Sequence, residues 1–332
     1  TTLADYHLPV AGDLPDIRLL HMETPSPISR FGQKGIGESG AIGPPAAIAN
    51  AVNDALRPFG ARVAEVPMTP ERVLAALAEA LATVSATARP MAGGQSLGPM
   101  MNLRLSRPAA LVDVAALAEL RAVEERDDAV ILGAAITHAE IEDGAVPDPT
   151  PGWLAGAAAN IAHRAVRNRG TLGGSLAHAD PAADWVIVMT GLGATAIVTG
   201  PGDEGGGERR VAMEAFVTGP YQTALGPGEI LRAVSVPRPG AGARWGYWKF
   251  MRQVGEFAKA SATVLVDPAR GAPRVALGAL GRQPHLFDAD TAEAITAGRL
   301  APREAVAAAL PDRDAAAQIL SATALARALE QT

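Results

Sequence analysis

Ala92-Gly93-Gly94-Gln95-Ser96-Leu97 and Asn168-Arg169-Gly170-Thr171-Leu172-Gly173-Gly174-Ser175 are the two stretches on which the reading of this chain turns. Each predicts a tight glycine turn. Without β-carbons, paired glycines let successive backbone amides point into one concave surface, which suits a pyrophosphate. Ser96 adds a hydroxyl donor to the first turn. Taken alone, that turn reads equally well as a plain chain reversal, because short glycine pairs are common in turns. Two of them, with 80 positions between Gly94 and Gly174, are spaced to clamp the two ends of a dinucleotide. Neither has the strand-to-helix Gly-x-Gly-x-x-Gly form. Gly35-Ile36-Gly37-Glu38-Ser39-Gly40 matches that bare pattern, but it follows no apolar strand and is not read as a nucleotide site.

Outward from the second turn, Ala179-Asp-Pro-Ala-Ala-Asp184 leads into a helix after Pro181. Asp184, just inside that helix, is placed to accept hydrogen bonds from sugar or ribityl hydroxyls. It is also readable as a helix-capping carboxylate. His138, His163 and His178 share no metal-like spacing and read as structural or surface histidines.

The segment 61–112 reads as strand, helix and strand. Arg62–Val66 alternates like a strand. Thr69 caps a helix with Pro70 at its first position and a stripe of Val73, Leu74, Leu77, Leu81 and Val84. The first glycine turn then falls between this helix and a strand near Ala110–Val114. Residues 129–199 repeat the style, with a strand at Val130–Leu132, a helix around 152–163 and a glycine loop at 170–175. Gly200–Gly207 is expected to be the mobile tip of a hairpin. From residue 230, Ile230–Val236, Trp245–Met251, Thr263–Val266 and Arg274–Leu280 are spaced for an antiparallel sheet. Alanine-rich helices near 302–310 and 313–330 follow. Residues 1–43 read as extended segments and loops. A helix then opens on Pro44 and Pro45, carries Ile48, Val52, Leu56 and Phe59 on one face, and stops at Gly60.

The fold class is therefore α+β. The expected divisions are 1–60, which lacks a core of its own, 61–236 in two parts split near 114, and 237–332.

Of the 332 residues, 48% are hydrophobic and 19% charged, as in an ordinary globular protein and unlike a disordered chain. The net charge of −6 gives no basic field for nucleic acid or anionic lipid. The chain has no cysteine, so it holds no disulfide, thiolate zinc site or iron–sulfur cluster of its own. No apolar run approaches the roughly 18 residues of a membrane span, and no leader pattern opens the sequence, so a cytoplasmic setting is the default expectation. Thr1 in place of an initiator Met reads either as simple removal of the Met or, in preference, as the start of a piece of something longer.

Several motifs together carry a resemblance. They are Ala92–Ser96, Pro99-Met-Met-Asn-Leu-Arg104, Ile161–Ser175, Ala179–Asp184 and Gly219-Pro-Tyr-Gln-Thr-Ala224. From about residue 62 onward the chain resembles the medium, FAD-binding subunit of the xanthine dehydrogenase and carbon monoxide dehydrogenase family of molybdenum hydroxylases. The resemblance implies a two-part FAD-binding domain of the vanillyl alcohol oxidase type, followed by a small α+β domain. It implies FAD held by Met91, Ala92, Gly93, Gly94, Gln95, Ser96, Leu97, Ile161, Thr171, Gly173, Gly174, Ser175 and Asp184, with further contacts from Leu231 and Lys249. Electrons would reach the flavin from iron–sulfur clusters (2Fe-2S) on a separate small subunit and leave to an external acceptor. Substrate would be hydroxylated at molybdopterin on a separate large subunit. The implied assembly is a dimer of heterotrimers.

Residues 1–60 resemble a different part of that family, the C-terminal end of its large, molybdopterin-binding subunit. The matching runs are Glu23-Thr-Pro-Ser-Pro27, Gly32–Gly40 and Gly43–Val52. By that likeness Glu38 is the general base at the molybdenum site. A carboxylate before a helix N-terminus is favoured ionised, and burial would raise its pKa toward a useful base. From the residues alone, Glu38 reads as a surface glutamate in a glycine loop. The fusion order differs from single-chain members of the family, where the FAD part precedes the molybdenum part. Two other readings stand beside this one, a self-sufficient flavin oxidase or reductase of the same fold and an assembly subunit without flavin.

Overall fold

The first glycine turn is entered from a strand, which the sequence reading did not expect. In the computed structural model, residues 20, 23–35, 37–57, 61–69, 72–74, 76, 88–108, 110–200 and 207–332 are described. Strand β1 (Ala88–Met91) runs into the turn, the helix Leu97–Asn102 leaves it, and β2 (Ala110–Asp113) returns parallel to β1. β1 escapes a periodicity reading because it has four residues, one of them Pro90, and no apolar alternation.

Arg62–Val66 is a correction. It forms no strand, because the Asn53 side chain takes both backbone groups of Val63, with Nδ2 to the carbonyl and Oδ1 from the amide, each at 2.9 Å. The helix expected after Thr69 is seen at 72–74 and 76, and Leu77, Leu81 and Val84 lie outside the described residues.

Val130-Ile131-Leu132 is an unbroken apolar run, and such a strand needs cover on both faces. The run lies inside a five-stranded antiparallel sheet. Its strands are β3 (Val123–Glu125), β4 (Ala129–Gly133), β5 (Thr195–Gly200), β6 (Gly207–Ala212) and β9 (Ile230–Pro237), in the order β3-β4-β9-β5-β6. Val130 and Leu132 face the main core, while Ile131 joins Ile197 and Ala233 in a small cluster apart from it. That split follows from the two-residue period of a strand. Gly200 pairs with Gly207, so the expected hairpin exists, although its tip at 201–206 lies outside the described residues. A short hairpin, β7 (Val217–Gly219) with β8 (Gln222–Thr223), precedes β9.

The second sheet is antiparallel in the order β10 (Arg244–Phe250), β11 (Ala260–Val266), β12 (Arg274–Gly278) and β13 (His285–Leu286). Helices Pro302–Ala309 and Ala315–Leu329 share a second core with it. The helix Asp184–Leu192 is buried at every residue and packs on β11, β12 and β9, between the two sheets. Its sequence, Asp-Trp-Val-Ile-Val-Met-Thr-Gly-Leu, has no polar stripe, as a helix enclosed on all sides requires.

By compactness the chain divides into Thr1–Ile48 and Ala49–Thr332. In the first unit the amide of Ser26 donates to the Gly32 carbonyl, and that of Gly32 to Ser29. The helix Ser39–Leu56 starts five residues before the expected position, with Pro44 and Pro45 inside it. Proline supplies no amide, so the carbonyls of Gly40 and Ala41 lack their helical donors. Phe59 and Gly60 lie outside the described residues.

Candidate functional site

The chain after β1 turns sharply at Gly94, which has φ +70°, a conformation that costs an L side chain energy. The amides of Gly93, Gly94, Gln95 and Ser96 donate to no protein acceptor among the described residues. Gln95 braces the turn through its side-chain amide, which donates to the Gly93 carbonyl at 3.1 Å. Ser96 is the N-cap of the following helix, but its hydroxyl makes no capping bond. Met91, Ala92 and Leu97 border this turn, half-buried. Consecutive amides without an acceptor among the described residues, at a half-buried turn, are the feature that an anion nest requires.

The second glycine stretch is not a loop. Thr171 is an N-cap, its hydroxyl accepting from the Gly174 amide at 3.0 Å, and Gly173, Gly174 and Ser175 belong to the helix Leu172–His178. The segment rests against the chain after β4. The Leu172 amide donates to Ile136 at 2.9 Å, Gly173 to Ala134 at 2.8 Å, and the His138 amide to Gly170 at 2.9 Å. Gly173 is required there, since a β-carbon would overlap Ala134.

The two turns lie against each other, not at opposite ends of a ligand-sized gap. A β-carbon at Gly93 would overlap the Arg169 carbonyl and sit 2.8 Å from the Gly170 Cα. One at Gly174 would lie 3.8 Å from the Ala92 β-carbon. The stretches thus share one floor.

Asp184 opens its helix in a buried cluster. Lys249 on β10 donates from Nζ to Asp184 Oδ1 at 2.7 Å and to the Asn160 carbonyl at 2.7 Å. The Tyr247 hydroxyl donates to the same Asp184 oxygen. Asp184 is 5% exposed and Lys249 8%. Burial pushes the Asp184 carboxyl up, against the opposing pull of Lys249 and Tyr247. Burial, with the Asp184 charge beside it, also pushes the Tyr247 hydroxyl well above its ordinary value. Ile161, next to Asn160, is half-buried, and its carbonyl accepts from Arg167 Nη1 at 3.0 Å. Leu231 lies opposite Val198 of β5, inside the main core.

Asp184, Lys249 and Asn160-Ile161 therefore converge, and residues 161–170 join them to the second turn. Glu38 belongs to the first unit and is exposed, its carbonyl accepting from the Ile42 amide at the start of the helix.

Two contributors escaped the sequence reading. Tyr247 shares a face of β10 with Lys249, two residues on, which strand alternation makes legible once one of them is known to matter. His138 is buried behind the second turn. Burial, then the Arg167 guanidinium, pushes its imidazole down to about 4. The pattern Thr137-x-x-Glu140, a capping box that forms here, marks its helix start in the sequence. His163 is exposed and His178 half-buried beside Tyr221. Among the described residues no cluster of His, Asp or Glu is arranged to hold a metal, and none of their helices is long and apolar enough to cross a membrane.

Residues 30–239 match the family described as the FAD binding domain in molybdopterin dehydrogenase. The chain is 37% identical over 224 residues to the nicotine 6-hydroxylase medium subunit of Paenarthrobacter nicotinovorans, covering 66% of this chain and 76% of that one. It also matches the large subunit of nicotine 6-hydroxylase from the same organism, at 50% identity over 76 residues, which is 23% of this chain and 9% of that subunit. Among solved structures, a chain of reconstituted CO dehydrogenase from Oligotropha carboxidovorans superposes with a TM-score of 0.69 at 29% identity, over 78% of this chain and 94% of that one. The mixed helix-and-sheet fold, the paired glycine turns and these likenesses agree: the chain belongs to the FAD-binding, medium-subunit family of the molybdenum hydroxylases, which are oxidoreductases.

Proposed function

We propose that this chain is the electron-transferring flavoprotein subunit of a multisubunit molybdenum hydroxylase. The observation that carries the reading is the contact between the two glycine stretches, which brings the first turn, whose Gly93–Ser96 amides have no protein acceptor among the described residues, beside the capped helix start at Thr171, an arrangement that fits a pyrophosphate. FAD, when bound, supplies two-electron and one-electron redox chemistry. The chain's own residues bind and orient it. Gly93, Gly94, Gln95 and Ser96 hold the phosphates, with Met91, Ala92 and Leu97 beside them. Thr171, Gly173, Gly174 and Ser175 shape the adjoining helix start. Asp184 and Lys249, paired with each other and nearly closed to solvent, support the site from behind together with Leu231 in the core, and Ile161 borders it. In this reading 61–236 is the flavin domain, of the vanillyl alcohol oxidase type, and 237–332 a C-terminal domain.

The same reading gives the chain two partners, a molybdopterin-binding large subunit and a small subunit with 2Fe-2S clusters, in a dimer of heterotrimers. Electrons pass from the clusters to an external acceptor. The 76-residue likeness to a large subunit supports a further role for residues 1–60, as the C-terminal segment of such a subunit that brings Glu38 to the molybdenum site as general base. Flavin, iron and molybdenum per mole, measured on the natively purified chain with its co-purifying partners, test the proposal. All three together are expected. FAD alone from a fully active preparation would replace it with a self-sufficient flavoenzyme. Glu38→Gln is expected to keep the flavin and stop substrate turnover in the assembled complex.

A further inference from the structure

Gly170 is enclosed between two groups. On one side is Gly93, whose β-carbon would sit 2.8 Å from the Gly170 Cα. On the other is the His138 imidazole, since a β-carbon on Gly170 would lie 2.8 Å from Nε2. His138 is 4% exposed. Its backbone amide donates to the Gly170 carbonyl at 2.9 Å, and its Nδ1 accepts from Trp185 Nε1 at 2.9 Å. Trp185 is fully buried and follows Asp184 in the same helix. A continuous stack thus runs from the Asp184 helix through Trp185 and His138 to Gly170, and on to the first glycine turn.

We infer that His138 is a positioning residue for the flavin, which as a neutral imidazole fixes the seat on which both glycine turns rest. The assignment rests on the reading above that these turns hold FAD. An indole N–H is a donor only, so Nδ1 must keep its lone pair and the ring proton must sit on Nε2. A second proton would set donor against donor at Trp185 and place a buried charge under Gly170. The surroundings oppose that proton. Arg167 is the cation facing the ring, and it is held by Glu142 at 2.7 and 2.9 Å. Glu140, on the helix of His138, is turned to Thr137 and Arg121. Asp184, beside Trp185, is occupied by Lys249.

FAD titration of the deflavinated full-length protein in its complex tests this, with His138→Phe, His138→Asn and a Gly94→Val control. His138→Phe strands the Trp185 N–H and should weaken FAD binding roughly tenfold or more near pH 7.5. His138→Asn places an oxygen where Nδ1 was and should restore most of that affinity. Wild-type affinity should fall as the pH drops through about 4, where His138 takes up its proton in the folded chain, whereas that of His138→Asn should stay flat. A merely structural role would lower thermal stability without moving this pH profile. Wild-type affinity in His138→Phe, or the same acid loss in His138→Asn as in wild type, overturns the inference. If His138→Phe fails to fold, the profile of His138→Asn decides alone. Retention of FAD by Gly94→Val would instead remove the underlying assignment of the turn, which separates the two failures.

Discussion

Gly93 faces the backbone carbonyl of Arg169 so closely that the two glycine stretches, far apart in sequence, touch with no room for a methyl group between them. A Gly93→Ala substitution must push the stretches apart. It is expected to cost roughly 1–3 kcal/mol of stability as an overpacked contact and to abolish FAD binding with it. Thermal unfolding and flavin content measured on one preparation check both effects.

Gly94 and Gly174 should behave differently from Gly93. At Gly94 the nearest atom to an added β-carbon is Met91 Sδ at 3.5 Å, an ordinary contact, so the cost there is the positive φ. Gly94→Val is expected to lose flavin while remaining folded, at a strain of about 1–3 kcal/mol. At Gly174 a β-carbon would meet the Thr171 hydroxyl at 2.7 Å, so Gly174→Val should also remove a helix cap of about 1 kcal/mol. Full FAD retention by both variants would show that the site lies elsewhere.

Gly173 tests whether flavin loss can be separated from unfolding. Its missing β-carbon makes room for Ala134 behind the helix, and Gly173 itself is buried, so Gly173→Ala should destabilise the flavin-free protein directly. Urea unfolding of that form should report a loss of roughly 1–3 kcal/mol. No loss would mean that the helix shifts to accommodate the methyl group.

The Asp184–Lys249 pair joins the helix Asp184–Leu192 to β10, with both side chains nearly free of solvent. Lys249→Met leaves a buried carboxylate unpaired and is expected to cost about 3–5 kcal/mol. Adding Asp184→Asn should recover a large part of it. A double-mutant cycle from denaturant midpoints measures the coupling, and strict additivity would show that the pair contributes nothing of its own.

His138 predicts an acid dependence of stability. Its folded-state pKa, about 4, lies below the ordinary imidazole value of 6.5, so the unfolded chain takes the proton more readily. The corresponding stability is full above pH 6.5 and is lost as pH falls from there to about 4, by an amount on the order of 3 kcal/mol. His138→Asn should remove this component of the slope. Unfolding free energies at several pH values across that window, wild type against variant, decide it.

What the sequence by itself determined is local. The Gly93-Gly94 pair needs no neighbours to mark a turn, and an apolar run such as Val130-Ile131-Leu132 needs none to mark a buried strand. The α+β class and three strands of the second sheet were legible for that reason, as was the family likeness, but Ile230–Val236, expected beside those strands, joins the first sheet, and β13 left no signal. The tertiary structure decided what depends on pairing across the chain. It made Ala88–Met91 a strand, because Ala110–Asp113 lies beside it, and denied one at Arg62–Val66, because Asn53 took the backbone of Val63. It turned a supposed glycine loop into a capped helix seated on Ala134 and Ile136. It also joined Asp184 to Lys249 and Tyr247, and His138 to Trp185. A buried polar group must find its partner wherever the fold brings one, and that partner's distance along the chain leaves no periodic trace in the sequence.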